Sequence, residues 1–138
     1  MKIPTEKWKQ FATSANATFY EVEPGLLAVV PAEGVEDDEA TAKASIELQL
    51  AYLRKTGQRA GVVIFMDMVA HQTAGARAVY RDAPDAEFQR CFALVGGTMF
   101  GRAIASIFLG LAAPRVPTRM FGTMDAAFAW ARERAATP

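Results

Sequence analysis

The chain has 138 residues, 51% of them hydrophobic and 22% charged, which is typical of a folded globular domain and excludes a disordered chain. At this length, residues 1–138 are expected to form one domain around a single hydrophobic core. The 15 Lys and Arg residues balance the 15 Asp and Glu residues, so the main driving force for binding nucleic acid or anionic lipid is missing.

The N-terminal residues predict a helix or coil, anchored by Trp8 and Phe11, and then a β-hairpin. The β-branched and aromatic side chains of residues 17–22 favour a strand, and residues 26–30 form the returning strand. The Pro24-Gly25 pair between them fits a type II turn, because proline fixes φ at the second position and glycine accepts positive φ at the third.

A long helix is predicted after a polar link over residues 31–36. Asp37, Asp38 and Glu39 place negative charge where a helix N-terminus favours it, and Gly57 follows as the C-terminal glycine. The apolar stripe of this helix, which is expected to pack on the sheet, consists of Ala42, Ile46, Leu50 and Leu53.

The next segment predicts the centre of the sheet. Residues 62–66 are apolar at every position, which is typical of a central parallel strand with both faces covered. The strand ends at Asp67, and a loop through His71 leads to Thr73. Thr73 is expected to cap a second helix, which ends near Asp82.

A second buried strand is predicted over residues 91–95, before the Gly96-Gly97 pair and Thr98. The helix that follows is expected to be mostly interior and limited by Pro114. Its apolar stripe consists of Ile104, Ile107, Phe108 and Leu111.

A membrane span over residues 91–113 is the alternative for this apolar region. The two glycines split it, and Arg102 would lie near the bilayer centre, so a strand, a turn and a buried helix explain it better. The sequence therefore predicts no transmembrane segment.

Residues 118–121 predict a last short strand, after which Thr123 caps a closing helix with Phe128 and Trp130 in its core face. The full order is β-β-α-β-α-β-α-β-α. It predicts an α/β fold with right-handed crossovers and a mixed sheet of about five strands that begins with the hairpin.

The order and three local stretches resemble the STAS-like family, to which bacterial anti-sigma-factor antagonists belong. The stretches are the strand at residues 62–67 with the loop and helix after it, the Val95-Gly96-Gly97 strand end, and the closing strand and helix at residues 118–130. The resemblance implies a small domain that works by binding other proteins. In some members of the family a serine or threonine at the start of the helix after the central strand is phosphorylated.

Residues 70–75 occupy that regulatory position in this chain. They lack the acidic-Ser-Ser-Gly-like signature of the regulatory members, and Thr73 is their only hydroxyl residue. Thr73 is therefore the candidate phosphorylation site that the resemblance implies.

The predicted ligand-binding or partner-binding site lies at the carboxyl ends of the two buried strands, where open α/β sheets bind ligands. Its residues are Asp67, His71, Thr73, Gly97, Thr98 and Arg102. The amides around the glycines, Thr98 and Arg102 could hold an anion. The structural alternative, which the sequence favours, is a tight turn with Arg102 in a surface or subunit salt bridge.

No catalytic residue, metal site or cofactor is predicted. Asp67 could act as a base, but the favoured role is to accept amides of the following loop, since no second titrating partner is fixed by spacing. His71 is the only histidine, so a multi-histidine metal site or a second catalytic histidine is excluded. Cys91 is the only cysteine, and with no secretory signal at the N-terminus it indicates a reducing, cytoplasmic location.

The leading functional hypothesis is a non-catalytic regulatory or scaffolding module that binds an unidentified protein partner or forms a homodimer. The alternative is a carrier or sensor of a small apolar or anionic ligand at the strand ends. Methionine and phenylalanine side chains could line an apolar pocket for such a ligand, although packing in the core explains most of them.

Overall fold

A six-stranded sheet is the centre of the structure, a computed structural model that describes residues 2–99, 101–103 and 115–138. The strands are, in chain order, β1 (Lys9–Thr13), β2 (Ala17–Glu23), β3 (Leu26–Pro31), β4 (Val35–Asp37), β5 (Ala60–Phe65), β6 (Val69–Gln72), β7 (Gln89–Val95) and β8 (Thr118–Phe121). The labelled helices are α1 (Glu39–Thr56), α2 (Ala74–Asp82) and α3 (Met124–Ala136). The main sheet has the order β1-β2-β3-β5-β7-β8, and β4 pairs with β6 in a separate two-stranded ribbon.

The strand directions confirm the predicted α/β fold with a mixed sheet. β1, β2 and β3 are antiparallel, whereas β3, β5, β7 and β8 run parallel. The predicted hairpin is formed by β2 and β3, and Gly25 at its turn has a φ of 85°, in the left-handed region that this turn needs. The main sheet has six strands instead of about five.

The additional strand is β1, where the sequence predicted a helix or coil. Contacts with other elements stabilise this strand. It pairs with β2 from Lys9 to Thr13, and the ring of Phe11 stacks on the ring of Tyr52 in α1, with 4.0 Å between the ring centroids. The helix or strand propensity of a short segment does not depend on such tertiary contacts, so these contacts override the propensity. Trp8, the other predicted anchor, contacts the ring of Phe65 on β5.

The ribbon of β4 and β6 corrects two further predictions, the polar link at residues 31–36 and the loop through His71. Val35 pairs with Val69, and Asp37 pairs with Gln72. Each strand has only three or four residues, which is too short for an alternating pattern to stand out. The central strand also ends one residue earlier than predicted, because Met66 begins a 3-10 turn.

The predicted ends of the helices are confirmed. Asp38 caps α1 in a capping box with Thr41, and Gly57 ends the helix with a φ of 67°. Thr73 and Thr123 cap α2 and α3 by accepting backbone amides in the first turn.

The two faces of the sheet differ in how closely the helices approach. α3 lies closer to β5 and β7 than α1 lies to any strand. A Cβ at Gly61 would lie 2.5 Å from the carbonyl oxygen of Ala131, so the backbones of β5 and α3 almost touch there. The opposite face carries larger side chains, including Val62, Phe92 and Leu94, under α1 and α2. This wider layer contains the candidate site.

The predicted interior helix falls mostly outside the described part of the chain, which does not include Ile104, Ile107, Phe108, Leu111 or Pro114. Residues 101–103 have helical backbone, and the Gly101 amide donates to Thr98 Oγ1 at 3.0 Å. Among the described residues, no helix has both the length and the apolar composition that a membrane crossing requires.

A partly buried hydrogen bond connects α1 to β2. Tyr52 Oη donates to Glu21 Oε1 at 2.8 Å, and Gln58 Nε2 donates to the same oxygen at 2.7 Å. Burial, with added contributions from the hydrogen bond and the charge of Glu21, raises the pKa of Tyr52 to about 12. The protonated phenol is therefore the form that the folded state favours.

Tyr52→Phe is expected to lower the free energy of unfolding by about 1 kcal/mol at neutral pH, since it removes a hydrogen bond to a charged group. The folded pKa exceeds the ordinary value near 10, so the contribution is complete below pH 10 and is lost as the pH rises through about 12. Urea unfolding of both proteins across this interval should show the difference shrinking. A difference that stays constant would contradict the link between Tyr52 and Glu21.

Candidate ligand-binding cavity

A cavity of about 60 Å³ lies on the face of the sheet that α1 and α2 cover. Its apolar floor follows the carboxyl halves of the parallel strands. Val29 on β3, Ile64 on β5 and Leu94 on β7 line it and are direct neighbours in register. Because three paired strands supply this floor, its shape is fixed by the most rigid part of the fold.

The polar end of the cavity is built around Asp37, the last residue of β4, whose exposed fraction is 9%. Thr41 Oγ1 donates to Asp37 Oδ1 at 2.7 Å. Tyr80 Oη and Gln72 Nε2 both donate to Oδ2, at 2.5 and 3.4 Å. Three different elements therefore supply neutral donors to one carboxylate, and all four side chains line the cavity.

Burial and the neighbouring carboxylate determine the protonation state of Tyr80. Burial is the larger effect, and the charge and hydrogen bond of Asp37 add to it, so the pKa of Tyr80 is raised well above its ordinary value. The phenol remains a hydrogen-bond donor under all physiological conditions. In this role it holds Asp37 in place and cannot serve as an accessible base.

The predicted strand-end residues Asp67, Gly97 and Thr98 are brought together at the exits of β5 and β7. Asp67 Oδ2 accepts the Gly97 amide at 3.0 Å, and Oδ1 accepts both the Thr98 amide at 3.0 Å and its hydroxyl at 2.8 Å. A Cβ at Gly101 would collide with the same carboxylate. Asp67 thus fastens the loop after β7, and not the loop that follows Asp67 itself, which the structural interpretation expected.

Arg102 makes its contacts within the same strand-end region. Its Nε donates to the carbonyl oxygen of Gly96 at 3.1 Å, and its guanidinium lies where a Cβ at Gly122 would be. The Gly97 and Thr98 amides already donate to Asp67, so an anion at this position would have to compete with that carboxylate.

The other two predicted site residues belong to the ribbon and α2. His71 is exposed on β6 and pairs in register with Glu36, whereas Thr73 is half-buried and caps α2. Gln72, which lies between them, is the residue that lines the cavity. His71 and Thr73 therefore flank the polar end of the cavity and do not join Asp67. Phosphorylation of Thr73 remains a prediction.

Residues 20–134 match the family described as a domain of unknown function, DUF7793. The chain belongs to this family. Comparisons with curated proteins and with solved structures give no match. The matched DUF7793 region contains Val29, Ile64 and Leu94 of the floor and the polar end of the cavity, whereas Ser14, Asn16 and Ala17, which also line the cavity, precede it.

Sequence reasoning missed the polar end of the cavity in this DUF7793 chain. The sequence predicts Asp37 only as a helix N-terminal charge, and no local pattern marks Tyr80 as a residue of a polar site. The one local signal is the alternation of Val35, Glu36 and Asp37, in which the first and third side chains line the cavity and the second is exposed. Three residues are too few to establish that pattern.

A second buried polar chain adjoins the cavity. Gln89 Nε2 donates to Gln49 Oε1 at 2.9 Å, and Gln49 Nε2 donates to Ser45 Oγ at 3.1 Å. Gln89 Oε1 also accepts the Asp85 amide at 3.0 Å, so the chain satisfies its own polar groups and ties α1 to β7.

Within the described ranges, no group of three or more His, Cys, Asp or Glu side chains could hold a metal ion.

Proposed function

We propose that this chain is a non-catalytic binding module that holds a small, largely apolar molecule in the cavity beneath the sheet, as a carrier or a sensor. The observation that carries the proposal is the cavity itself, with a floor of Val29, Ile64 and Leu94 and with the carboxylate of Asp37 at its polar end. Ligand sites commonly combine an apolar lining with a few placed polar groups.

The packing explains why a cavity lies on this face of the sheet. Donors from α1, β6 and α2 all point to Asp37, so these elements are held at a distance set by the polar cluster. On the other face, small residues allow α3 to close on the sheet.

In this proposal the ligand of the carrier or sensor lies on the face of the sheet, and not at the strand-end loops that the sequence predicts. It also favours an apolar ligand over an anionic one, because the polar end contributes a carboxylate. The cytoplasmic location inferred from Cys91 is part of this proposal, since a buried thiol fits a reducing compartment.

The test uses n-butanol, which combines a short apolar chain with one polar group, as the lining of the cavity does. Titration of methyl-labelled protein by NMR should give saturable shifts at Val29, Ile64 and Leu94, with a dissociation constant on the order of 1 mM. Ile64→Phe fills the cavity and should weaken binding at least about tenfold, since tenfold corresponds to only about 1.4 kcal/mol.

Val30→Phe is the matched control, because Val30 is also a half-buried strand residue but belongs to the opposite face of the sheet. It should bind n-butanol like the wild type. Absence of saturable shifts at the three floor residues, or equal binding by the Ile64→Phe variant, would rule the proposal out.

A protein-interaction role, as the STAS-like resemblance implies, is the second candidate. The observation that favours it is Met99, whose side chain is 88% exposed beside the exit of β7. An exposed methionine suits a contact with another protein or a second copy of this chain. Met99 does not line the cavity, so Ile64→Phe should leave such a contact intact, which separates the two roles.

A further inference from the structure

The described residues that line the cavity present negative charge and no positive charge to a ligand. Asp37 is the only charged residue among the described residues that line it. The three side chains that donate to its carboxylate are a threonine, a glutamine and a tyrosine, which are all neutral. Within the described residues, no ion pair involves Asp37. Its charge is therefore solvated by hydrogen bonds but not neutralised.

The carboxylate also retains capacity to accept hydrogen bonds. A carboxylate has about four acceptor sites, and three are used here. One of these three, the bond from Gln72, is long at 3.4 Å. A ligand with an N–H donor can therefore bond to Asp37 without displacing Thr41 or Tyr80.

We propose that the ligand class of the cavity is a short alkyl amine, with the hydrocarbon chain on Val29, Ile64 and Leu94 and the ammonium group on Asp37. This assignment rests on the proposed function, since it names the ligand of the same cavity. A cation supplies the neutralisation that a buried carboxylate lacks, and hydrogen bonds between charged groups are about twice as strong as neutral ones.

The opposite preference holds for anions. A carboxylate ligand of the same length would bring a second negative charge next to Asp37, with no cation among the described lining residues to offset it. A neutral alcohol falls between the two, because its hydroxyl can donate one hydrogen bond but carries no charge. The expected order of affinity is amine, then alcohol, then carboxylate.

The experiment compares three probes with the same carbon chain: n-butylamine, n-butanol and butanoate. At neutral pH the amine is protonated, as the similar lysine side chain is. The wild type should bind n-butylamine about tenfold more tightly than n-butanol, and butanoate at least about tenfold more weakly than n-butanol. Asp37→Asn keeps the shape of the side chain and should bring n-butylamine to within about twofold of n-butanol.

A second measurement does not depend on the folding of the variant. In the wild type, the resonance of the Asp37 carboxyl carbon should move with n-butylamine to saturation and should not move with butanoate. Glu36→Gln is the control substitution, because it removes the adjacent exposed carboxylate of β4, which does not line the cavity, so the preference for the amine should persist.

The outcomes separate the two claims. Saturable binding of n-butanol with no preference for the amine, or a preference that survives in Asp37→Asn, overturns the amine assignment and leaves the cavity as a ligand site. A lack of saturable binding by all three probes overturns the amine assignment and the proposed function together.

Discussion

Gly61→Ala is expected to lower the free energy of unfolding by about 3 kcal/mol, although alanine is usually the better residue in a strand. The added methyl group would lie 2.5 Å from the carbonyl oxygen of Ala131 and 2.9 Å from its Cβ. The nearest atoms are backbone of α3 and not a flexible side chain, so the helix itself must move away from β5. That movement would loosen the core around Cys91 and Ala127, which lies between α3 and the sheet.

Gly57→Ala is the matched control, because it adds the same methyl group where no atom lies within 4 Å. Its cost comes only from the left-handed backbone at φ 67°, and about 1 kcal/mol is expected. Urea denaturation should show the larger midpoint change for Gly61→Ala, with unchanged slopes. Equal costs at the two positions would contradict the close approach of α3 to β5.

Asp67→Ala is expected to cost about 2 kcal/mol, the second largest effect on stability. The substitution leaves the Gly97 amide and both donors of Thr98 without their common acceptor. Hydrogen bonds to a charged group contribute up to about 3 kcal/mol each, but this cluster is partly exposed and water replaces much of the loss. The loop after β7 would then lose its attachment to β5.

Glu47→Ala serves as the control, since Glu47 is an exposed carboxylate within α1. Its effect should stay within about 0.5 kcal/mol. Thermal or urea unfolding of both variants gives the comparison directly. If Asp67→Ala unfolded like the wild type, Asp67 could not be the residue that fastens the loop, and a role for it in binding or proton transfer would return.

The parts of the fold that could be predicted depend on local chemistry. Residues 62–65 of β5 and 91–95 of β7 are unbroken apolar runs. Gly57 accepts the left-handed backbone that ends α1, and the hydroxyls of Thr73 and Thr123 accept the first amides of the helices that follow them. β1, β4 and β6 were missed because their stability comes from pairing with distant strands, which short segments do not encode in their own pattern.

The candidate site was less predictable than the fold. The carboxyl ends of parallel strands pointed to Asp67, Gly97 and Thr98, which do meet, but both amides and the Thr98 hydroxyl donate to Asp67 and not to a ligand. The cavity and its polar end join Asp37, Thr41, Gln72 and Tyr80 from four elements. No spacing rule connects these positions, because the β4–β6 ribbon that brings them together was itself not predicted.

The central claim is that a small amine-bearing apolar molecule occupies the cavity between the sheet and α1. The most direct test is a crystal structure of the chain grown with n-butylamine. Density for the probe should lie on Ile64, with its nitrogen within hydrogen-bond distance of Asp37. A cavity filled by the protein's own side chains, or a probe bound elsewhere with the nitrogen away from Asp37, would contradict the account.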